Sequence, residues 1–474
     1  MASKKPPAKK LLPLFFLFFL IGVLILTVIF FDQIRLYFGQ ALGQKAEIVV
    51  NPLIKQGQVN PFWRNLSQGG EESELKLTQV KNQIIPLKPR YIRLDHLYDF
   101  YEPVQKNDQQ LVFNWQKLDQ AVNQILELGA TPFLSLSYMP PAIAKEGNII
   151  GQPESWPEWQ LVIQKTVEHF SGRNNRNLKG VIYEVWNEPD LFGSWKTWGD
   201  KNYLTLYHHA AVGAQRAQNT NPFKIGGPAI TAPYRNWVFT FLDYVAKNNL
   251  RLDFYSWHRY SLDPKTYLED IDLIDTWLFE NAGYSLEKYL TEWGPDSENS
   301  PVNDNNFAAA HLVASARQMI GRIDLGFVFE VYDGPSPEGQ KFWGRWGILT
   351  YPDNPPVVAK PRYQAIKILN QMEGERISLT GEGDWITGFA IQNGEVIKII
   401  LTNVDSRGHH QETFPLTINH LGNQAYSFKQ TFLYGIGNQE TIFVGNQTLF
   451  KKIILTANNV TLIEVAPQKE DSTN

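Results

Sequence analysis

The chain has no cysteine among its 474 residues. That absence removes disulfides, thiolate metal sites and a cysteine nucleophile. There is no basic block beyond the extreme N-terminus and the formal net charge is −4, so nucleic acid is not an expected partner. The short motifs of several other chemistries are also missing. There is no His-Glu-x-x-His for zinc, no Gly-x-x-x-x-Gly-Lys for phosphate and no Gly-x-Ser-x-Gly for a serine nucleophile. No Gly-x-Gly-x-x-Gly follows the first strand pattern, which counts against a doubly wound dinucleotide fold. Aromatic rings, by contrast, are plentiful. Of the 14 tryptophans, all but Trp385 lie between Trp63 and Trp346. Such rings usually pack a core, and near a site they also stack on an apolar ligand face.

Residues 11–31 form an uncharged apolar run long enough to cross a bilayer as a helix. Lys4, Lys5, Lys9 and Lys10 precede it and Asp32 follows. The positive-inside rule then keeps residues 1–10 in the cytoplasm as a basic stub and sends the remainder outward. A cleaved signal peptide is the alternative, but its apolar region is shorter, about 7–15 residues, and no small-x-small cleavage site stands out. The expectation is an uncleaved, single-pass signal anchor. The rest of the chain then lies on the periplasmic or extracellular side.

A linker follows, within residues 32–57, and ends in a strand-like stretch at 46–50. Over residues 58–372 short apolar runs alternate with longer helical patterns. The runs fall at 62–66, 91–94, 132–136, 181–185, 223–226, 252–256, 289–291 and 327–329. Between them, residues 115–128, 159–170, 203–217, 237–248 and 307–320 repeat apolar side chains at helical spacing. Eight such units predict an α/β fold, the (β/α)8 TIM barrel. Residues 373–468 change character, with strand patterns at 377–379, 386–391, 396–402, 428–434, 441–444 and 460–465 divided by Asn/Gly turns. They predict a small antiparallel β-sandwich, to which 46–50 can add a strand, and residues 469–474 form a tail.

Two strand ends carry the chemistry. The fourth run ends Trp186-Asn187-Glu188-Pro189, where proline stops the ladder and leaves an amide and a carboxyl at the strand's carboxyl end. The seventh ends Thr291-Glu292-Trp293-Gly294. Alone, either glutamate is as well explained as a cap on the following helix. Together they lie 104 positions apart, or roughly 35 for each of three βα units, close to a barrel's repeat. Strands four and seven face each other across a barrel mouth, so both carboxyls point into one pocket. Opposed carboxyls are what glycoside hydrolysis requires. The sixth run ends with Ser256, His258 and Tyr260 on one face, and a tyrosine hydroxyl there can orient a nucleophilic carboxylate. The second run ends Arg93-Leu94-Asp95-His96, and Arg93 either pairs with a carboxylate inside the barrel or stands near Glu292.

These residues resemble glycoside hydrolase family 39 over residues 88–372. The resemblance rests on Tyr138-Met139-Pro140, Tyr183-Glu184-Val185-Trp186-Asn187-Glu188-Pro189, Gly226-Gly227-Pro228-Ala229, Asp253 through Tyr260, Thr291-Glu292-Trp293 and Trp343 through Leu349. It implies a retaining glycosidase, with Glu188 as general acid/base of raised pKa and Glu292 as ionised nucleophile. Asn187 would hold the sugar 2-hydroxyl and Tyr260 would position Glu292. His258, Arg93, Asp95, His96, Tyr138 and Trp293 complete the expected substrate-binding set. No metal and no organic cofactor are implied. Two positions depart from the family pattern: Asp95 stands where a histidine is common, and Ser135 where a glutamate is common. The functional expectation is a membrane-anchored enzyme trimming an extracytoplasmic polysaccharide or oligosaccharide. The alternatives are a non-catalytic carbohydrate-binding scaffold on the same barrel, or a transglycosylase using the same site. Oligomeric state is not set by the sequence.

Overall fold

The computed structural model describes residues 43–70, 72–282 and 286–468. The expected membrane span, the basic stub before it and the tail 469–474 lie outside them. Among the described residues, no helix is long and apolar enough to cross a membrane.

After β1 (Ile48–Gln58) the chain enters a barrel through β2 (Asn65–Gln68) and β3 (Tyr91–Leu94). A small hairpin, β4 (Val104–Asn107) and β5 (Gln110–Phe113), precedes α1 (Gln116–Glu127). Strand and helix then alternate through β6 (Thr131–Leu136), α2 (Trp156–Phe170), β7 (Ile182–Val185), α3 (Tyr203–Arg216) and β8 (Lys224–Ile230). They continue through α4 (Arg235–Lys247), β9 (Phe254–Tyr260), α5 (Lys265–Ala282), β10 (Glu287–Gly294), α6 (Asn306–Met319), β11 (Leu325–Phe329) and α7 (Pro361–Leu369). The eight barrel strands pair in parallel and close, β11 bonding back to β2.

Each helix turns an apolar stripe inward. In α1 the buried residues are Leu118, Ala121, Val122 and Ile125, one face at helical spacing. Asn202 and Asn305 cap α3 and α6, their side chains accepting the Leu204 and Phe307 N–H. The first barrel strand starts later than the pattern at 62–66 predicts. Pro61 opens a 3-10 turn over Phe62–Arg64, and its two adjacent rings, Phe62 and Trp63, are both buried. Phe133, Ile182, Phe254, Tyr289, Leu325 and Phe327 plug the barrel's lower end, Phe254 stacking on Tyr289 at 4.2 Å. The open end is therefore the carboxyl end of the strands.

Beyond the barrel come β12 (Glu375–Thr380), β13 (Ile386–Asn393), β14 (Val396–Asn403) and β15 (Glu412–Ile418). The chain ends with β16 (Ala425–Phe432), β17 (Gly437–Phe443), β18 (Leu449–Leu455) and β19 (Val460–Pro467). The expected antiparallel sandwich is instead one mixed sheet of nine strands, ordered β17-β16-β19-β14-β13-β12-β1-β15-β18. β1 inserts between β12 and β15 and runs parallel to β15. Both ends of the sheet contribute to one core, Phe428 and Val465 from one side with Phe414 and Ile453 from the other. Its other face packs on the barrel, where Phe389, Ile391, Ile400 and Leu462 join the barrel core.

Candidate active site

The mouth of the barrel is shaped by an unusual backbone turn after β7. Trp186 and Glu188 both adopt left-handed φ, +75° and +45°. For a bulky residue such as tryptophan this conformation is strained and persists only when its surroundings hold it. Three hydrogen bonds do so. Ser135 Oγ donates to the Trp186 carbonyl at 2.9 Å, the Trp186 indole N–H donates to the Phe192 carbonyl at 3.2 Å, and the Glu188 N–H donates to the Ala229 carbonyl at 3.1 Å. The turn swings Glu188 over the mouth instead of continuing the strand's alternation.

Arg93, at the end of β3, ties the floor together. Its Nε donates to Glu184, one Nη to Glu292 and the other to Asn187, each at 2.8 Å. Arg93 thus pairs inside the barrel with Glu184 and also donates to Glu292. The Asn187 amide donates onward to the Tyr138 hydroxyl at 3.1 Å. From β9, His258 Nδ1 lies 2.8 Å from Glu188 Oε1 and 3.5 Å from Glu292 Oε2. Tyr260 donates its hydroxyl to Glu292 Oε2 at 2.9 Å.

The electrostatics follow from burial and these partners. Burial opposes charge on His258, yet the Glu292 and Glu188 carboxyls close to it hold its pKa above the usual imidazole range. Burial and the neighbouring glutamates push the Tyr260 phenol well up, which keeps its proton in place as a donor. Burial also pushes the Glu292 carboxyl up, with His258 and Arg93 pulling the other way. The reason is position: its side chain is only 8 % exposed, and desolvation works against the charge. Among the described residues, Glu188, His258 and Glu292 each offer a ligand atom, all within 4.8 Å of one another. The same closeness lets a proton pass between the imidazole and either carboxyl.

A cavity of about 440 Å³ opens above these groups, lined by Asp95, His96, Tyr138, Asn187, Glu188, Tyr260 and Glu292 among others. Arg93 and His258, 1 % and 0 % exposed, sit behind the glutamates rather than in the cavity wall. Trp293 is the clear correction. Strand alternation turns it away from Glu292 into the core, edge-on to Tyr267 with ring centroids 5.8 Å apart. Several contributors escaped the sequence reading. Glu184, an acid inside an apolar strand, was a legible signal for an internal partner of Arg93. Trp346, Phe192 and Ile150 on the cavity wall come from loops without periodicity.

Two carboxyls flanking a cavity, one buried among donors and one more open beside an imidazole, are equipped for glycosyl transfer. Comparisons with known proteins agree. The family described as Glycosyl hydrolases family 39 matches residues 46–433. The chain is 25 % identical over 433 residues to a β-xylosidase of Caldicellulosiruptor saccharolyticus, covering 84 % of both chains. It is 25 % identical over 343 residues to a β-xylosidase of Geobacillus stearothermophilus, covering 65 % of this chain and 66 % of that one. The fold is similar to that of a monomeric β-xylosidase from Caulobacter crescentus CB15, with TM-score 0.75, 21 % identity, and 90 % and 100 % of the two chains covered. The chain belongs to glycosyl hydrolases family 39 and is a glycosidase that hydrolyses O-glycosyl bonds.

Proposed function

We propose that this glycosidase is a retaining, xylosidase-like enzyme in which Glu292 is the nucleophile and Glu188 the acid/base. The carboxyl separation carries the reading. One oxygen of each glutamate falls within 4.8 Å of the other, which fits the closely set carboxyls of a double displacement, roughly 5–5.5 Å apart. Glu292 attacks the anomeric carbon as the bond to the leaving oxygen breaks, and Glu188 delivers its proton to that oxygen. Glu188 then removes a proton from water, whose oxygen displaces Glu292 from the glycosyl-enzyme. A sugar hydroxyl in place of water gives transglycosylation by the same steps. Arg93 and Tyr260 hold Glu292 aimed, and Asn187 receives the 2-hydroxyl. The xylosidase-like reading draws on the names of the two relatives.

The apolar run at residues 11–31, with four lysines before it, supports tethering to a membrane and an extracytoplasmic polysaccharide or oligosaccharide substrate. A mature protein lighter than the full chain by about 4 kDa would instead mean a cleaved leader.

The decisive experiment offers aryl glycosides and envelope polysaccharides to wild type, Glu188→Gln and Glu292→Gln, and follows the product anomer by NMR. Retained configuration is expected, with turnover reduced about 10²–10⁴-fold by Glu188→Gln and abolished by Glu292→Gln. An inverted product, or a fully active Glu292→Gln, would falsify the assignment. Binding without cleavage by wild type would favour a carbohydrate-binding scaffold.

A further inference from the structure

The cavity wall is rich in carboxyl groups. Asp95, Glu188, Glu292 and the rim residue Glu298 line it, and among the described residues no lysine or arginine does. Arg93 commits its guanidinium to Glu184, Glu292 and Asn187. Arg345 lies over the rings of Trp343 and Trp346, its guanidinium carbon 3.9 and 5.1 Å from their centroids, and is not in the wall. His96 does line the cavity, but its Nδ1 is bonded to Asp99 at 2.6 Å, so a cation there already has its carboxylate.

Asp95 has no comparable partner. The residue is 4 % exposed, no hydrogen bond reaches its carboxylate among the described residues, and Oδ1 is buried without a donor. Arg93 and His96 feel its charge, yet both direct their hydrogen bonds elsewhere. The neighbouring backbone is built to admit this carboxylate. A Cβ on Gly69 would come within 1.8 Å of Asp95 Oδ1, so a larger residue there would displace the carboxylate from this position. A buried carboxylate lacking donors is costly, and at a cavity wall the missing donors can come from a ligand. A second anion brought to the same place meets the repulsion of Asp95 at close range, while Arg93 and His96 direct their hydrogen bonds to other carboxyls.

We infer that Asp95 makes this cavity select by charge: it accepts a glycosyl unit presenting hydroxyl or ammonium donors and rejects a unit bearing a carboxylate, such as a uronosyl group. That the ligand is a sugar cleaved here rests on the reading under Proposed function. Selection by charge concerns binding and is separable from it.

The test titrates the unaltered protein with matched methyl 1-thio-β-glycosides, whose sulfur resists acid-assisted cleavage: xyloside, glucoside, 2-amino-2-deoxyglucoside and glucuronide. Tryptophan fluorescence reports binding. The glucuronide is expected to bind about tenfold or more weaker than the glucoside. Adding Asp95→Asn should narrow that ratio severalfold and weaken the aminoglucoside relative to the glucoside. Equal binding of glucuronide and glucoside before Asp95 is changed overturns the inference, as does a ratio that Asp95→Asn leaves in place, or failure of every probe to bind. The first comparison needs no Asp95 variant, so the inference stays open to refutation even where Asp95→Asn misfolds. Loss of cleavage with these binding ratios intact would sink the glycosidase mechanism alone.

Discussion

Arg93 reaches three groups because a guanidinium is a rigid fork with several donors, and a lysine at that position is a single point charge. Arg93→Lys should lower kcat/KM by about 10²-fold by freeing Asn187 or Glu292. The pH profile gives a sharper readout. Burial raises the Glu292 pKa, and the mechanism uses its ionised form. Activity is therefore present above that pKa and lost as pH falls through it, so the acid limb of kcat/KM should lie above the ordinary glutamate range of about 4.3. Weakening Arg93, one of the groups pulling Glu292 down, should move the limb further up; a limb that moves down contradicts this account. Tyr260→Phe removes one donor to Glu292 and should cut kcat by about 10–10²-fold with little change in thermal midpoint. A large drop in melting temperature would mean that Tyr260 is chiefly structural. Glu292 and Trp293 also mark how far sequence reaches at this scale. Strand alternation separates them into mouth and core, and the motif Thr291-Glu292-Trp293 alone does not say which side each takes.

At the scale of an element, the β7 turn depends on a neighbouring strand. Ser135 on β6 satisfies the Trp186 carbonyl where the family pattern has an acid. Ser135→Ala leaves that buried carbonyl short of a donor and should cost about 1–3 kcal/mol in urea unfolding, with a parallel fall in activity as Glu188 loses its seat. Unchanged activity would mean the turn is held from elsewhere. Helix α6 offers a pH test. Its buried His311 has Nε2 2.7 Å from the Ser261 carbonyl, and burial lowers its pKa to about 3. In the unfolded chain it titrates near about 6.5, so between that value and about 3 only the unfolded state takes up the proton. Stability should therefore be lost as pH falls through this window, by up to about 1.4 kcal/mol per pH unit. His311→Gln should flatten the slope; an unchanged slope would assign the loss to other groups. Elements that escaped the sequence reading did so for physical reasons. β15 carries Pro415, which argues against a paired strand, and β18 interrupts its apolar positions with Lys451 and Lys452.

For the whole molecule, barrel and sheet share apolar surface. Trp63 beside the barrel's first strand meets Phe389 of β13, ring centroids 6.3 Å apart, and Arg317 of α6 pairs with Glu382 at 2.7 Å. Deleting residues 373–468 should leave an insoluble or unfolded barrel, and the full chain should melt in one transition by calorimetry. Two resolved transitions would show that the sheet is an independent unit. Sequence by itself determined the alternation of eight βα units, the two strand-end glutamates and their spacing, because side-chain periodicity and proline stops act over a few residues. It did not determine that β1 crosses to the distant sheet, that Trp293 turns inward, or that burial pushes the Glu292 carboxyl up. Tertiary structure decided those. Which surface a strand finds, and how much water and charge surround a carboxyl, depend on residues tens to hundreds of positions away.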